Sequence, residues 1–286
     1  MHMEGIMRGL RRALAAAVAA TSALATLSVA GVAPAHAAPG SHESPALAAS
    51  LRAARAPASP SGSTSGDPVI VVNGVFGVGF AYEPLVARLR ADGYRVWDFE
   101  LPTLGTQDIR LSAQALDAFA DAVRAQTGAA KVDLVGHSEG GLVSRAYVKY
   151  YGGAAEVDSL ITLGTPNYGT VAANIARVFT LGTCVGITAC QQMTIGSSFL
   201  ADLNAGDDSI GTVAYTNIAT VWDELVQPYT NSFLNAADGN IANRALQSQC
   251  FLRVVGHLGL IVDGAVYSGV EDALEKQPIR FNCFAL

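Results

Sequence analysis

The segment Gly136-His137-Ser138-Glu139-Gly140 constrains this chain more than any other feature. It follows Val132-Asp133-Leu134-Val135, which reads as a buried strand, and precedes a stretch that reads as a helix to about Tyr151. A serine held in a tight strand-to-helix turn needs its neighbouring backbone very close. The residues two before and two after it must therefore be tiny. Such a turn lifts the serine hydroxyl above the end of a sheet, at a helix N-terminus that favours developing negative charge. Ser138 is the candidate nucleophile.

The surrounding chain supplies the sheet that such a turn requires. Val69-Ile70-Val71-Val72 is a continuous apolar run, as expected of a parallel strand buried on both faces. Further strands are expected at residues 94–99, 157–163, 213–221 and 250–255. Helices are expected at 84–91, 108–127, with Gly128 as its stop, and 264–276. This alternation predicts an α/β fold, a doubly wound and mostly parallel sheet, with its ligand site at the carboxyl ends of the strands. Residues 169–208 fit no strand–helix unit and are the candidate cap or lid. Phe179, Leu181, Ile187, Met193 and Ile195 give that stretch an apolar character suited to an acyl chain.

A serine hydroxyl needs a general base. Of the five histidines, His2, His36 and His42 lie in the N-terminal region, and the His137 side chain should point away from the hydroxyl. His257 remains as the base. The orienting acid should fall between serine and histidine in the chain. Asp223, just after the expected fifth strand, is preferred, with Glu224 and Asp238 as fallbacks. An oxyanion hole needs two backbone N–H groups. Glu139, after the serine, should give one, and Val75, in the glycine-rich loop 73–79, the other. Gly74, Gly77 and Gly79 do not form a dinucleotide fingerprint.

Arg8, Arg11 and Arg12, an alanine-rich stretch and Ala35-His36-Ala37 read as a secretory signal peptide over residues 1–37. Residues 38–66, rich in Ala, Ser and Pro, read as a flexible leader, and 67–286 as the folded domain. With 15% charged residues and a net charge of −6, the chain is neither a disordered protein nor a sequence-independent nucleic-acid binder. Cys184, Cys190, Cys250 and Cys283 fit export and show no zinc-type spacing. Of three possible pairings, Cys184–Cys190 with Cys250–Cys283 is favoured, because the first two are near neighbours.

Asn73-Gly74-Val75, Gly136-His137-Ser138-Glu139-Gly140-Gly141, Gly164-Thr165-Pro166-Asn167-Tyr168-Gly169-Thr170 and Trp222-Asp223-Glu224-Leu225-Val226-Gln227-Pro228 resemble secreted class 2 bacterial triacylglycerol lipases. The Asp223–Pro228 stretch and the late histidine are also similar to the fungal lipase B type. The resemblance covers most of residues 67–286. It implies an α/β-hydrolase fold, hydrolysis of carboxylic esters, and a triad of Ser138, Asp223 and His257. It also implies oxyanion donors at Val75 and Glu139, no metal or cofactor, and a Cys250–Cys283 bridge. The expected partners are a lipid or small ester substrate and, transiently, a lipid interface; a monomer that binds no nucleic acid is expected. Two positions depart from the pattern. Asn73-Gly74 stands where many relatives have His-Gly, a change a backbone donor tolerates. Glu139 stands where Gln or Met is usual; its carboxylate must turn away from the oxyanion or be paired. Three other readings share these residues: an acyltransferase, a polyester depolymerase, and a non-catalytic binding protein on the same scaffold.

Overall fold

The computed structural model describes residues 66–171, 184 and 186–286. The expected signal peptide and nearly all of the expected leader lie outside the described residues, as do Phe179 and Leu181 of the expected cap. In chain order the main elements are β1 (Val69–Val72), α1 (Gly79–Ala91), β2 (Val96–Phe99), α2 (Ile109–Thr127), β3 (Val132–His137), α3 (Glu139–Tyr150), α4 (Gly153–Glu156) and β4 (Val157–Leu163). Then come α5 (Thr188–Gln192), α6 (Ser198–Leu203), β5 (Ala214–Ala219), β6 (Ile241–Ala245) and α7 (Gly264–Leu274).

All six strands join one parallel sheet in the order β2-β1-β3-β4-β5-β6. Side chains alternate across a strand, and the core divides accordingly. Ile70, Val72, Leu134 and Leu160 pack with α2, α3, α5 and α6 on one face. Val69, Val71, Val135 and Ile161 pack with α1 and α7 on the other. Burial on both faces explains why β1 reads as an unbroken apolar run. The ends of α2 follow local chemistry. Asp108 caps it by accepting from the Arg110 N–H at 2.8 Å, and Gly128 ends it at φ 70°.

Two elements differ from expectation. The sixth strand is Ile241–Ala245, not 250–255. An edge strand pairs on one side only, so its sequence need not be apolar. Phe251, Leu252 and Val254 are instead 76%, 79% and 73% exposed, in a turn where the Arg253 N–H donates to the Cys250 carbonyl. Arg253 ties that turn to Asp263 and to the carbonyls of Cys283 and Ala285. The second difference is α1, which begins at Gly79 and carries Pro84 inside it. Proline favours the first helical turn, which is why the sequence suggests a start at residue 84.

In its described part the candidate cap is anchored to the body. Phe199, Leu200 and Leu203 of α6 join the core beside α2 and α3. A buried ion pair between Arg145 on α3 and Asp208, 3.3 Å long, fixes the chain that leads into β5.

Both disulfides, Cys184–Cys190 and Cys250–Cys283, have the favoured pairing. The second closes a sequence separation of 33 and anchors the segment that leads to His257. Loop-closure entropy assigns it about 3–4 kcal/mol. A Cys250→Ser, Cys283→Ser protein is therefore expected to melt about 6–15 °C lower. An unchanged Tm in calorimetry would show that this closure contributes nothing.

Candidate active site

Ser138 sits between β3 and α3 at φ 54° and ψ −123°, a conformation that disfavours a side chain. Its neighbours explain why the turn survives. A Cβ on Gly136 would lie 2.7 Å from the Gly141 nitrogen, and one on Gly140 would lie 2.2 Å from the Val72 carbonyl oxygen. No residue larger than glycine fits either position. The Ser138 N–H donates to the Leu163 carbonyl at 2.9 Å and ties the turn to β4.

Asp223 lies just beyond the carboxyl end of β5, and His257 opens the short turn Leu258–Ile261. They meet directly: His257 Nδ1 is 3.0 Å from Asp223 Oδ1 and 2.9 Å from Oδ2. A carboxylate only accepts, so Nδ1 carries a proton; in a neutral ring the lone pair is then on Nε2. The Leu225 and Val226 N–H groups donate to Asp223 Oδ1 at 2.9 and 2.7 Å and hold the carboxylate in place. Glu224 has a different partner. Its Oε2 accepts from the His257 backbone N–H at 2.9 Å and so anchors the loop, not the ring. Asp238 stands apart, accepting from the Asp208 N–H and the Asn235 amide.

The loop after β1 approaches the serine closely. A Cβ on Gly74 would lie 3.1 Å from Ser138 Cβ. The Gly74, Phe76 and Gly77 N–H groups all have protein acceptors. Glu139 is the first residue of α3, where an N–H has no intrahelical partner. Val75 and Ser138, with His257, line one cavity of about 400 Å³. Met193, Leu225, Val226, Leu258 and Ile261 give that cavity apolar walls. Of the other expected acyl-contact residues, Ile187 packs against the core and Ile195 is exposed.

The Glu139 side chain turns inward, not towards solvent. It is fully buried, and neither carboxyl oxygen has a hydrogen-bond partner among the described residues. A Cβ on Gly105 would lie 2.6 Å from Oε2 and 3.0 Å from Val75 Cα, so this carboxyl packs beneath the candidate oxyanion loop. Burial pushes its pKa well above the ordinary carboxylate range, so the neutral acid is the favoured form. A folded-state pKa raised in this way contributes stability below the unfolded value, and that contribution is lost as pH rises through the folded value. Glu139→Gln, which cannot ionise, should therefore show a smaller fall in Tm between about pH 5 and pH 9. Asp98, pushed up to about 6 by burial, and Asp133, pushed up to about 7 by burial, weaken both proteins alike over that range. The difference between the two Tm curves isolates Glu139. Parallel curves would mean that it does not titrate there.

Sequence reasoning left Tyr82 unassigned. It lies on α1, lines the cavity, and bonds to both Gly74 and His137. Its signal is hidden because the sequence places the helix start after it. His137 also lines the cavity, with its ring 4.8 Å from that of His257.

A parallel sheet with a strained serine turn after its third strand, and an acid–histidine pair beyond later strands, defines an α/β-hydrolase. Solved structures share this fold. Aspergillus fumigatus lipase B matches with a TM-score of 0.68 at 22% identity, over 80% of this chain and 58% of that one. The mature Bacillus licheniformis lipase BlEst2 matches with a TM-score of 0.61 at 17% identity, over 77% of this chain and 96% of that one. The chain belongs to the class 2 lipase family: the family model described as Lipase (class 2) matches residues 66–241. A triacylglycerol lipase of Pseudarthrobacter phenanthrenivorans is 34% identical over 119 residues, 38% of this chain and 36% of that protein. Another, from Burkholderia plantarii, is also 34% identical over 119 residues, 38% of this chain and 32% of that protein. The chain aligns with about a third of the length of these curated relatives.

Proposed function

We propose that this protein is a secreted serine hydrolase that cleaves carboxylic esters, as a lipase or esterase. The observation that carries this reading is that His257, held by Asp223, lines one apolar cavity with Ser138. In the reaction, His257 Nε2 takes the proton as Ser138 Oγ attacks the ester carbonyl carbon. The Val75 and Glu139 N–H groups receive the oxyanion. Collapse of the tetrahedral intermediate expels the alcohol, protonated by His257, and leaves the acyl group on Ser138. Water, deprotonated by His257, attacks the acyl carbon; collapse breaks the bond to Ser138 Oγ, which takes the proton back from His257 as the acid leaves. Asp223 stabilises the imidazolium without taking its proton.

The apolar walls of the cavity suit an acyl chain. Phe76 and Leu258 line the cavity and are themselves exposed, which suits contact with a lipid surface. Relatives named triacylglycerol lipase support the substrate class. Export is supported by two disulfides, which persist in oxidising compartments, and by the N-terminal sequence pattern. The test is hydrolysis of p-nitrophenyl butyrate and p-nitrophenyl palmitate by the mature protein. Turnover of either ester is expected, and the preferred chain length separates esterase from lipase. A protein that cleaves neither ester and is not labelled by a fluorophosphonate would overturn the reading.

A further inference from the structure

A chain of three buried hydrogen bonds runs past the serine turn, and none of its members is consumed in the ester reaction. The Gly74 N–H donates to the Tyr82 hydroxyl oxygen at 2.7 Å. Tyr82 Oη lies 2.9 Å from His137 Nδ1, and His137 Nε2 lies 3.2 Å from the His257 backbone oxygen. Tyr82, His137 and His257 are all buried.

The chemistry at the two ends fixes every proton between them. A backbone N–H only donates, so the Tyr82 oxygen accepts from Gly74. At the other end the His257 carbonyl only accepts, so the proton of the neutral His137 ring is on Nε2. Nδ1 is then an acceptor, and the Tyr82 hydroxyl hydrogen points at it. A doubly protonated His137 would bring a second donor, Nδ1–H, to the Tyr82 oxygen beside Gly74 and deny the hydroxyl hydrogen this acceptor. Burial first, then the neighbouring His257, push the His137 pKa down to about 3 and keep the ring neutral. The whole chain thus has one hydrogen-bond direction and no competing tautomer.

Its two ends matter. Gly74 immediately precedes Val75, the candidate oxyanion donor. The carbonyl at the far end belongs to His257, the candidate base. Ser138 lies between them and follows His137 directly. We propose that Tyr82 and His137 are positioning residues, whose hydrogen-bond chain holds the oxyanion loop and the backbone of the base at a fixed separation across the nucleophile. This inference rests on the ester-hydrolase reading of Ser138 and His257. The separation is needed most in the transition state, when the oxyanion and the imidazolium exist together.

Tyr82→Phe keeps the ring in the cavity wall and deletes both bonds at the hydroxyl. On p-nitrophenyl butyrate, kcat and kcat/KM are expected to fall together by about 10–100-fold, with KM within about twofold of wild type. His137→Asn offers Tyr82 an acceptor near the Nδ1 position but lacks the reach to the His257 carbonyl. It should produce the same paired fall, and it serves as the test if Tyr82→Phe does not fold. The double variant should lose little more than either single one, because each already breaks the same chain. Tm is measured on every variant, so that lost folding is not read as lost positioning. An unchanged kcat in folded variants, or a raised KM with kcat intact, would overturn the inference while leaving the ester reading standing. A wild type that neither hydrolyses esters nor takes up fluorophosphonate overturns the ester reading and this inference with it.

Discussion

Replacing Ser138 with alanine is expected to lower ester hydrolysis by about 10⁴–10⁶-fold with the fold retained. The size of the loss follows from what the variant keeps. The proposed oxyanion donors and the apolar cavity survive, but nothing remains to form the proposed acyl-enzyme, so only binding and electrostatic assistance to water persist. Stability should hardly change. Ser138 stands at the cap position of α3, yet its side chain makes no capping bond, so deleting the hydroxyl removes no helix contact. Alanine also inherits the same positive φ, which the glycine neighbours and the Leu163 bond impose. The decisive result is therefore an inactive protein with the wild-type Tm. Activity within about tenfold of wild type would remove Ser138 from the mechanism, since loss of a nucleophile is never that mild.

How legible this molecule is in its sequence depends on whether neighbours along the chain or across the fold decide each feature. β1, β3 and β4 are readable because strands covered by helices on both faces are largely apolar, β1 throughout. β6 is not, because an edge strand can be Ile-Ala-Asn-Arg-Ala while an exposed turn holds Phe251 and Leu252. Ser138 is marked by its flanking glycines, whose small size answers to contacts with β1 and the start of α3. His257 is reached because only five histidines exist, and Asp223 because it follows a readable strand. The structure places those two in contact. Glu224, beside Asp223 in sequence, binds the other side of the same histidine through its backbone, a division of labour that no spacing rule reveals. The burial of Glu139 is equally hidden. Gly105 and Val75, which pack near its carboxyl, come from two other loops. The Tyr82–His137 link joins a helix to a strand end across 55 positions, with no local pattern to announce it.

Asp223→Asn is expected to reduce kcat by about 10⁴ with KM nearly unchanged, through the wrong histidine tautomer and not through misfolding. The asparagine is isosteric, so its orientation decides the outcome. The Leu225 and Val226 N–H groups both aim at Oδ1. They require an oxygen there, which leaves the side-chain NH₂ at the position of Oδ2, 2.9 Å from His257 Nδ1 in the native protein. An amide N–H at that point opposes a proton on Nδ1, and Oδ1, 3.0 Å from Nδ1, already accepts from two backbone N–H groups, so an accepting Nδ1 with the imidazole proton on Nε2 is favoured. Nε2, the proposed base, is then a donor and has no lone pair to take the hydroxyl proton. The flipped amide would place NH₂ against two backbone donors, leaving buried groups unpaired at about 1–3 kcal/mol each. The trap is thus the favoured arrangement. KM should hold because Asp223 is buried behind the histidine and does not line the cavity. If Asp223→Asn retained more than about a tenth of wild-type kcat, the orienting role would have to lie elsewhere, because a mis-set tautomer costs far more than that. Glu224 could not assume the role without releasing the His257 backbone, so Glu224→Gln in the same background would then be the deciding variant.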